Sequence, residues 1–319
     1  MNLFSRKKKG PDTGPDSPIR VIRQTEPGMC GGTDATLDTG APTTILSEDM
    51  ILFDVTSALN EYPSAGNPGR DEPPLGYLSA FAAPAGDGPF LLLETGEAFA
   101  RRAPKTVSWA LVKKAPFPAL AALVREFDLA KSNGYHSTTH GLPENFGGSV
   151  TVRYAGGETI SFSDNQTPVL PLPFAKRVAV LFTEAMKGEK TALPDLSALT
   201  EIRFAEERKN GGFTRAVLTV CPDGTGVNRK TSRYDDPTVY ESEKPVDAET
   251  VGAIRNTVER TGLLAWSGLP DSEYRPLRNS SLTFVFENGT EITVPNGKTV
   301  PDPIRDGFFN VELEMTTKH

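Results

Sequence analysis

Two histidines offer the first chemistry in this chain. His136 and His140 stand in His-Ser-Thr-Thr-His, an i, i+4 spacing that sets both imidazoles on one side of a helix, where they could share a metal ion or one could serve as a general base. Their surroundings read differently, because Gly134 before them and Gly141-Leu142-Pro143 after them are loop signals and no third ligand is identified. A loop without a metal is the simpler expectation, and metal binding by His136 and His140 is its alternative. Further along, Gly224-Thr225-Gly226-Val227-Asn228-Arg229-Lys230-Thr231 is one residue from a phosphate-binding P-loop, with Arg229 where the second glycine belongs. Without that glycine the backbone N–H groups do not form the nest that holds phosphates, so the stretch reads as a polar loop after a turn.

A shorter segment carries a resemblance. Leu37-Asp38-Thr39-Gly40-Ala41-Pro42, followed by Thr43-Thr44-Ile45-Leu46, resembles the Asp-Thr-Gly-Ala signature of retroviral-type aspartic peptidases. The resemblance implies Asp38 as the catalytic carboxylate on a turn shaped by Thr39 and Gly40. There it would share one proton with a symmetry mate, since two adjacent carboxylates do not both ionise. The second half of the chain has no matching Asp-Thr/Ser-Gly, so a dyad would need a homodimer; a turn leading into the first strand is the simpler reading.

Composition narrows the classes. At 319 residues the length suits about two domains, and 37% apolar with 24% charged residues suits folded domains joined by loops. Residues 1–24 hold six Lys/Arg against two Asp, while the whole chain has a net charge of −7, so the body is acidic and would repel a phosphate backbone. Nucleic-acid binding is not expected. No apolar run is long enough to span a bilayer and no apolar core follows the basic N-terminus, so neither a transmembrane segment nor a signal peptide is expected, and the expected location is cytoplasmic. Cys30 and Cys221 belong to no ligand spacing and read as free thiols. Trp109 and Trp266 read as packing residues. No cofactor is expected.

The elements that must position these residues come in a repeated order. Gly141-Leu142-Pro143-Glu144 recurs as Gly268-Leu269-Pro270-Asp271. Before each lies a helical stripe, Leu120, Leu123 and Phe127 in one copy and Val251, Ile254 and Val258 in the other, with Gly134 and Gly262 as expected C-caps. After each lies an alternating hairpin: Val150, Val152 and Tyr154 return as Ile160 and Phe162, and Leu282, Phe284 and Phe286 return as Ile292 and Val294. Upstream, Met50 to Val55 and Thr200 to Phe204 read as opening strands. Tyr77 to Ala83 and Phe90 to Glu94 flank Gly86-Asp87-Gly88, as Phe213 to Val220 and the residues from Thr225 onward flank Asp223-Gly224, and further strands are read at Thr106 to Val112 and Thr238 to Glu243. Each copy closes on a proline-led helical pattern, Phe174, Val178, Leu181 and Ala185, then Ile304, Phe308, Val311 and Met315, the last of which also alternates like a strand.

The expected architecture is α+β: two tandem copies of an antiparallel sheet of about five or six strands with one or two helices on one face. The expected boundaries are a flexible basic Pro/Gly-rich tail at 1–44, the first repeat at 45–188, a linker at 189–197 and the second repeat at 198–319. Asn133-Gly134-Tyr135, Gly141-Leu142-Pro143, Tyr154-Ala155-Gly156-Gly157-Glu158 and Ser163-Asp164-Asn165 together resemble a family of uncharacterised bacterial proteins with tandem α+β domains. That resemblance covers most of 45–188 and, more weakly, 196–316, and implies no activity. The duplicated residues are packing residues without duplicated polar chemistry, so the expected function is a non-enzymatic binding or scaffold protein. Its protein or peptide partner would sit between the copies or on an exposed sheet face. The alternatives are an aspartic peptidase-like hydrolase using Asp38 and a peripheral membrane adaptor tethered weakly through the basic N-terminus.

Overall fold

The computed structural model describes residues 18–24, 32–59, 74–85, 88–97, 103–141, 146–208, 210–234, 236–268, 279–296 and 301–317. The basic segment 1–9, Cys30, the prolines Pro63, Pro68 and Pro73, the Gly86-Asp87 turn, and Leu142–Glu144 and Leu269–Asp271 of the repeated tetrapeptide lie outside the described residues.

The protein is α+β. In the first half β1 is Ile19–Gln24, β2 Thr33–Asp38, β3 Met50–Ala58, β4 Tyr77–Ala83, β5 Phe90–Gly96 and β6 Lys105–Leu111. Then follow α1 (Phe117–Glu126), β7 (Tyr135–Thr139), β8 (Gly148–Tyr154), β9 (Thr159–Asp164) and α2 (Leu172–Lys187). The second half runs β10 (Leu199–Glu207), β11 (Phe213–Val220), β12 (Gly226–Arg233), β13 (Val239–Val246), α3 (Ala248–Thr261), β14 (Asn279–Phe286), β15 (Glu291–Pro295) and α4 (Asp302–Thr316). One sheet has nine strands in the order β1-β2-β7-β9-β8-β3-β4-β5-β6, the other six in the order β13-β12-β11-β10-β14-β15. Read from β6 to β9, the nine-stranded sheet repeats the strand order of the six-stranded one from β13 to β15. The chain forms two compact units. The first is Met1–Ala82, Leu92–Thr106 and Ala115–Lys187; the second is Ala83–Leu91, Val107–Lys114 and Gly188–His319.

Several expectations need correction. The first sheet exceeds six strands and is mixed, because β7 reaches β9 in the parallel sense, with His136 opposite Ser163 and Ser137 opposite Asp164. The stretch 1–44 contains β1 and β2, whose polar residues hide the apolar alternation that marks a half-buried strand. His136 lies in a strand, and Gly226 to Thr231 likewise open β12 where a polar loop was expected. Helix α1 ends at Glu126, followed by Asp128 at φ +52 and a 3-10 turn over Leu129–Ser132, so Gly134 caps no helix. In α2 the buried stripe is Phe174, Val178, Phe182 and Met186, one residue away from the expected Leu181 and Ala185. The ambiguous closing segment is helix α4, with Ile304, Phe308, Val311 and Met315 all buried.

In the first unit alternation selects one face. Phe53, Val55, Val150, Val152, Ile160 and Phe162 point inward from β3, β8 and β9 and are buried with Leu120 and Leu123 of α1 and the α2 stripe. The Phe53 ring lies 6.5 Å from that of Phe174 and 6.1 Å from that of Phe182. Each fully buried ring of this kind contributes roughly 1.5–3 kcal/mol. In the second unit Ile202, Phe204, Ala216, Leu218, Leu282 and Phe284 do the same against Val251, Ile254 and Val258 of α3 and the α4 stripe. Asp247 caps α3 by accepting from the Thr250 N–H at 2.8 Å.

Gly262 closes α3 at φ +70, and a Cβ there would stand 2.6 Å from Trp109 Cδ2. The Trp109 indole N–H donates to the Glu259 carbonyl at 2.8 Å, and Phe90 packs edge-on against Trp266 at 6.0 Å, so both tryptophans pack within the second unit. Left-handed backbone and close ring approach both require glycine here. Gly262→Ala should therefore lower unfolding stability by about 2–3 kcal/mol. By contrast, Gly252→Ala, inside α3 with open space around it, should raise stability by about 0.5–1 kcal/mol. Urea unfolding of the two variants checks the opposite signs.

Candidate functional site

Register brings the sequence-selected residues together on the outer face of the first sheet. Thr36 lies opposite His136, His136 opposite Ser163, Ser163 opposite Ser149, and Ser149 opposite Thr56. The result is a row of hydrogen-bonding side chains across β2, β7, β9, β8 and β3. His136 Nδ1 is 3.0 Å from Ser163 Oγ, and His140 Nε2 is 3.2 Å from Asp34 Oδ2. Burial pushes the His136 imidazole below the ordinary value of 6.5, and the Asp38 carboxylate partly offsets this. So Asp38 and His136, selected for separate reasons in the sequence, act on one another.

The strand sets the two histidines apart instead of stacking them as a helix would. A strand rises about 3.3 Å per residue, so four residues separate His136 and His140 by roughly 13 Å where a helix would stack them. Among the described residues no group of three or more His, Cys, Asp or Glu could hold a metal ion. Asp38 is occupied by its own turn: its Oδ1 accepts from the Gly40 N–H at 2.9 Å, and the Thr39 N–H and hydroxyl both donate to the Pro18 carbonyl. The three residues of the peptidase-like signature thus close β2 and anchor β1.

The residues that carry the other resemblance also have structural work. Asn133 Nδ2 donates to the Pro42 and Thr159 carbonyls while its Oδ1 accepts from Ser161 N–H. Asn165 exchanges two hydrogen bonds of 2.8 Å with the Thr139 backbone. Between them these amides hold β7 where its own ladder to β9 has only two residue pairs. Gly134 allows the approach of β2, since a Cβ would stand 2.7 Å from the Asp38 carbonyl. Hydrogen bonds from Ser47 and from the Leu46 amide hold the Glu158 carboxyl below the usual range and fix the segment before β3.

The second unit presents two surfaces that sequence reading missed. One is a polar concavity of about 450 Å³ beside the last turns of α4, lined by Glu206, Arg208, Thr214, Lys230, Tyr234 and Glu312 among others. Lys230 Nζ donates to the Thr316 carbonyl, Lys244 to Thr317 and Asn228 to Met315, so three side chains of β12 and β13 satisfy the C-terminal carbonyls of α4. The other is the outer sheet face, where Arg203, Arg215, Arg229 and Arg233 gather around Phe213 and Val217. Arg229, the residue that broke the P-loop pattern, pairs there with Glu243 at 2.7 Å. These residues are far apart in sequence and adjacent only through the pairing of β10, β11 and β12.

A histidine whose folded pKa is depressed is protonated first in the unfolded chain, so His136 supports stability above pH 6.5 and withdraws that support as pH falls through its folded value. NMR titration should give a His136 midpoint below 6.5, and Asp38→Asn should move it lower still. A midpoint that rises in Asp38→Asn contradicts the assignment. No known protein family matches the chain, and no curated protein matches it in sequence.

Proposed function

We propose that the chain is a non-enzymatic binding or scaffold protein built from two repeated domains, with open sheet faces as its contact surfaces for a protein or peptide partner. The observation that carries this reading is the contrast between faces that share a strand order. Across β3, β8 and β9 and from β13 to β15 the inner faces both bury aliphatic and aromatic residues, while the outer faces differ, Ser/Thr-rich in one and Arg/Glu-rich in the other. Shared burial with unlike exteriors is the expected outcome where the duplicated part is scaffold and the exterior is free to suit a partner. Arginine and aromatic residues on an uncovered sheet, Arg215, Arg233 and Phe213, also match the composition of contact surfaces.

The reading favours polypeptide over nucleic acid, because a net charge of −7 opposes a phosphate backbone. No described helix is long and apolar enough to cross a membrane. The tether through residues 1–9 lies outside the described residues. A photo-crosslinking residue at Val217, in the middle of the second outer face, should capture a discrete partner from source-cell extract. The same residue at Asn256, exposed on α3, should not. Equal labelling from both positions, or no labelling beside reproducible turnover in a substrate screen, would overturn the binding reading.

A further inference from the structure

We infer that Arg215 and Arg233, sharing the ring of Phe213, form a docking point for an acidic, extended polypeptide segment; this rests on the binding reading above and names the chemistry of its partner. Phe213 lies directly opposite Arg233, and Arg215 is two residues along β11, so all three project from the outer face. The guanidinium carbons stand 5.1 Å (Arg215) and 5.3 Å (Arg233) from the Phe213 ring centroid. Two cations thus flank one phenyl group.

The contrast with their neighbours points to an anion. On the same face Arg203 is held by Glu201 and by Glu291 at 3.0 Å, and Arg229 by Glu243. Neither Arg215 nor Arg233 has a carboxylate partner among the described residues; Arg233 donates to the Gly211 carbonyl instead. Glu207, opposite Phe213, and Glu241, opposite Thr231, border the pair without bonding to it. Among the described residues, then, two adjacent arginines lack a direct carboxylate partner on a face where Arg203 and Arg229 each have one.

The shape of the site selects the occupant. A broad polyanion such as a nucleic-acid duplex would meet the carboxylates of Glu207, Glu241 and Glu243 along with four arginines, two of which are already paired, too few free cations to hold it. A single extended segment needs only two acidic side chains. Alternate residues of such a segment lie about 6.5–7 Å apart on one face, and diagonal neighbours on adjacent strands, as Arg215 and Arg233 are, lie about 7–8 Å apart. Carboxylates at i and i+2 match that interval. Thr231, opposite Arg215 and between Arg233 and Arg229 along β12, adds a hydroxyl beside them.

The test uses the full chain and a fluorescein-labelled peptide of sequence Gly-Ser-Glu-Thr-Glu-Thr-Glu-Ser-Gly in fluorescence anisotropy at low salt. The peptide should bind, binding should weaken with added salt, and Arg215→Gln with Arg233→Gln should reduce affinity at least tenfold while Arg203→Gln changes it less than twofold. The charge-reversed pair Arg215→Glu with Arg233→Glu should instead bind the same peptide with lysine in place of glutamate, a gain that misfolding would not produce. Equal losses in Arg203→Gln, no binding by the wild-type chain, or equally effective competition by inorganic phosphate or a short DNA strand would overturn the proposal. If the peptide fails to bind while the Val217 crosslinker still captures a partner, the acidic chemistry is wrong and the binding reading stands; if both fail, both fall.

Discussion

Side chains on a β-strand alternate between two faces, and two helices can cover only one of them. The second half and β3, β8 and β9 of the first follow from that constraint, whereas β4 and β5 are buried on both faces. Phe53, Val55, Val150 and Val152 in one sheet and Ile202, Phe204, Ala216 and Leu218 in the other must turn toward helices, which commits their neighbours in sequence to the opposite face. A slip of one residue would exchange the two sets, exposing several rings and burying arginines, at a cost far above the roughly 5–15 kcal/mol by which such domains are stable. Inner-face burial therefore fixes the outer-face pattern. Whatever the outer surfaces do, their geometry is inherited from the core.

The two halves use this freedom differently. The first extends its six-strand run with β7, β2 and β1, a layer whose ladder is short and whose cohesion comes from the side-chain amides of Asn133 and Asn165 and from the Asp38 turn. Its outer residues are mainly hydroxyls and histidines that bond laterally to one another, as His136 does to Ser163 and Thr56 to Ser79. The second stops at six strands and exposes charged residues instead. Its edge strand β13 is blunted by Lys244 and Pro245, both poor templates for further strand addition, so contact through the face is favoured over contact through the edge.

What the sequence made legible was the part governed by local periodicity. Leu120 and Leu123, Val251, Ile254 and Val258, and the hairpins at Val150 to Phe162 and Leu282 to Val294 announce themselves by spacing, and Gly262 announces a helix end because its left-handed backbone is a local requirement. The strands β1, β2 and β7 were hidden because polar residues form them and because their support comes from Asn133 and Asn165, tens of residues away from some of the groups they hold. The same limit applies to the sites. Asp38, His136 and His140 could be singled out by type and spacing, but that β2 and β7 are neighbours is a fact of pairing that no local pattern encodes. Arg215 and Arg233 carry no motif at all; only the register of β11 with β12 sets them beside one phenyl ring.

The distinction between paired and unpaired arginines also bears on how such a face can bind. Two unit charges about 7–8 Å apart in water repel by only about 0.5–0.6 kcal/mol, so the proximity of Arg215 and Arg233 costs the folded protein little. A partner carboxylate that approached Arg203 would first have to displace Glu201 and Glu291, and the exchange of one exposed ion pair for another gains almost nothing. At Arg215 and Arg233 no ion pair among the described residues need be broken, and the Phe213 ring already restricts both long side chains, which reduces the rotamer entropy lost when they are engaged. Of the outer-face arginines, these two are therefore where an approaching anion gains most for the least reorganisation.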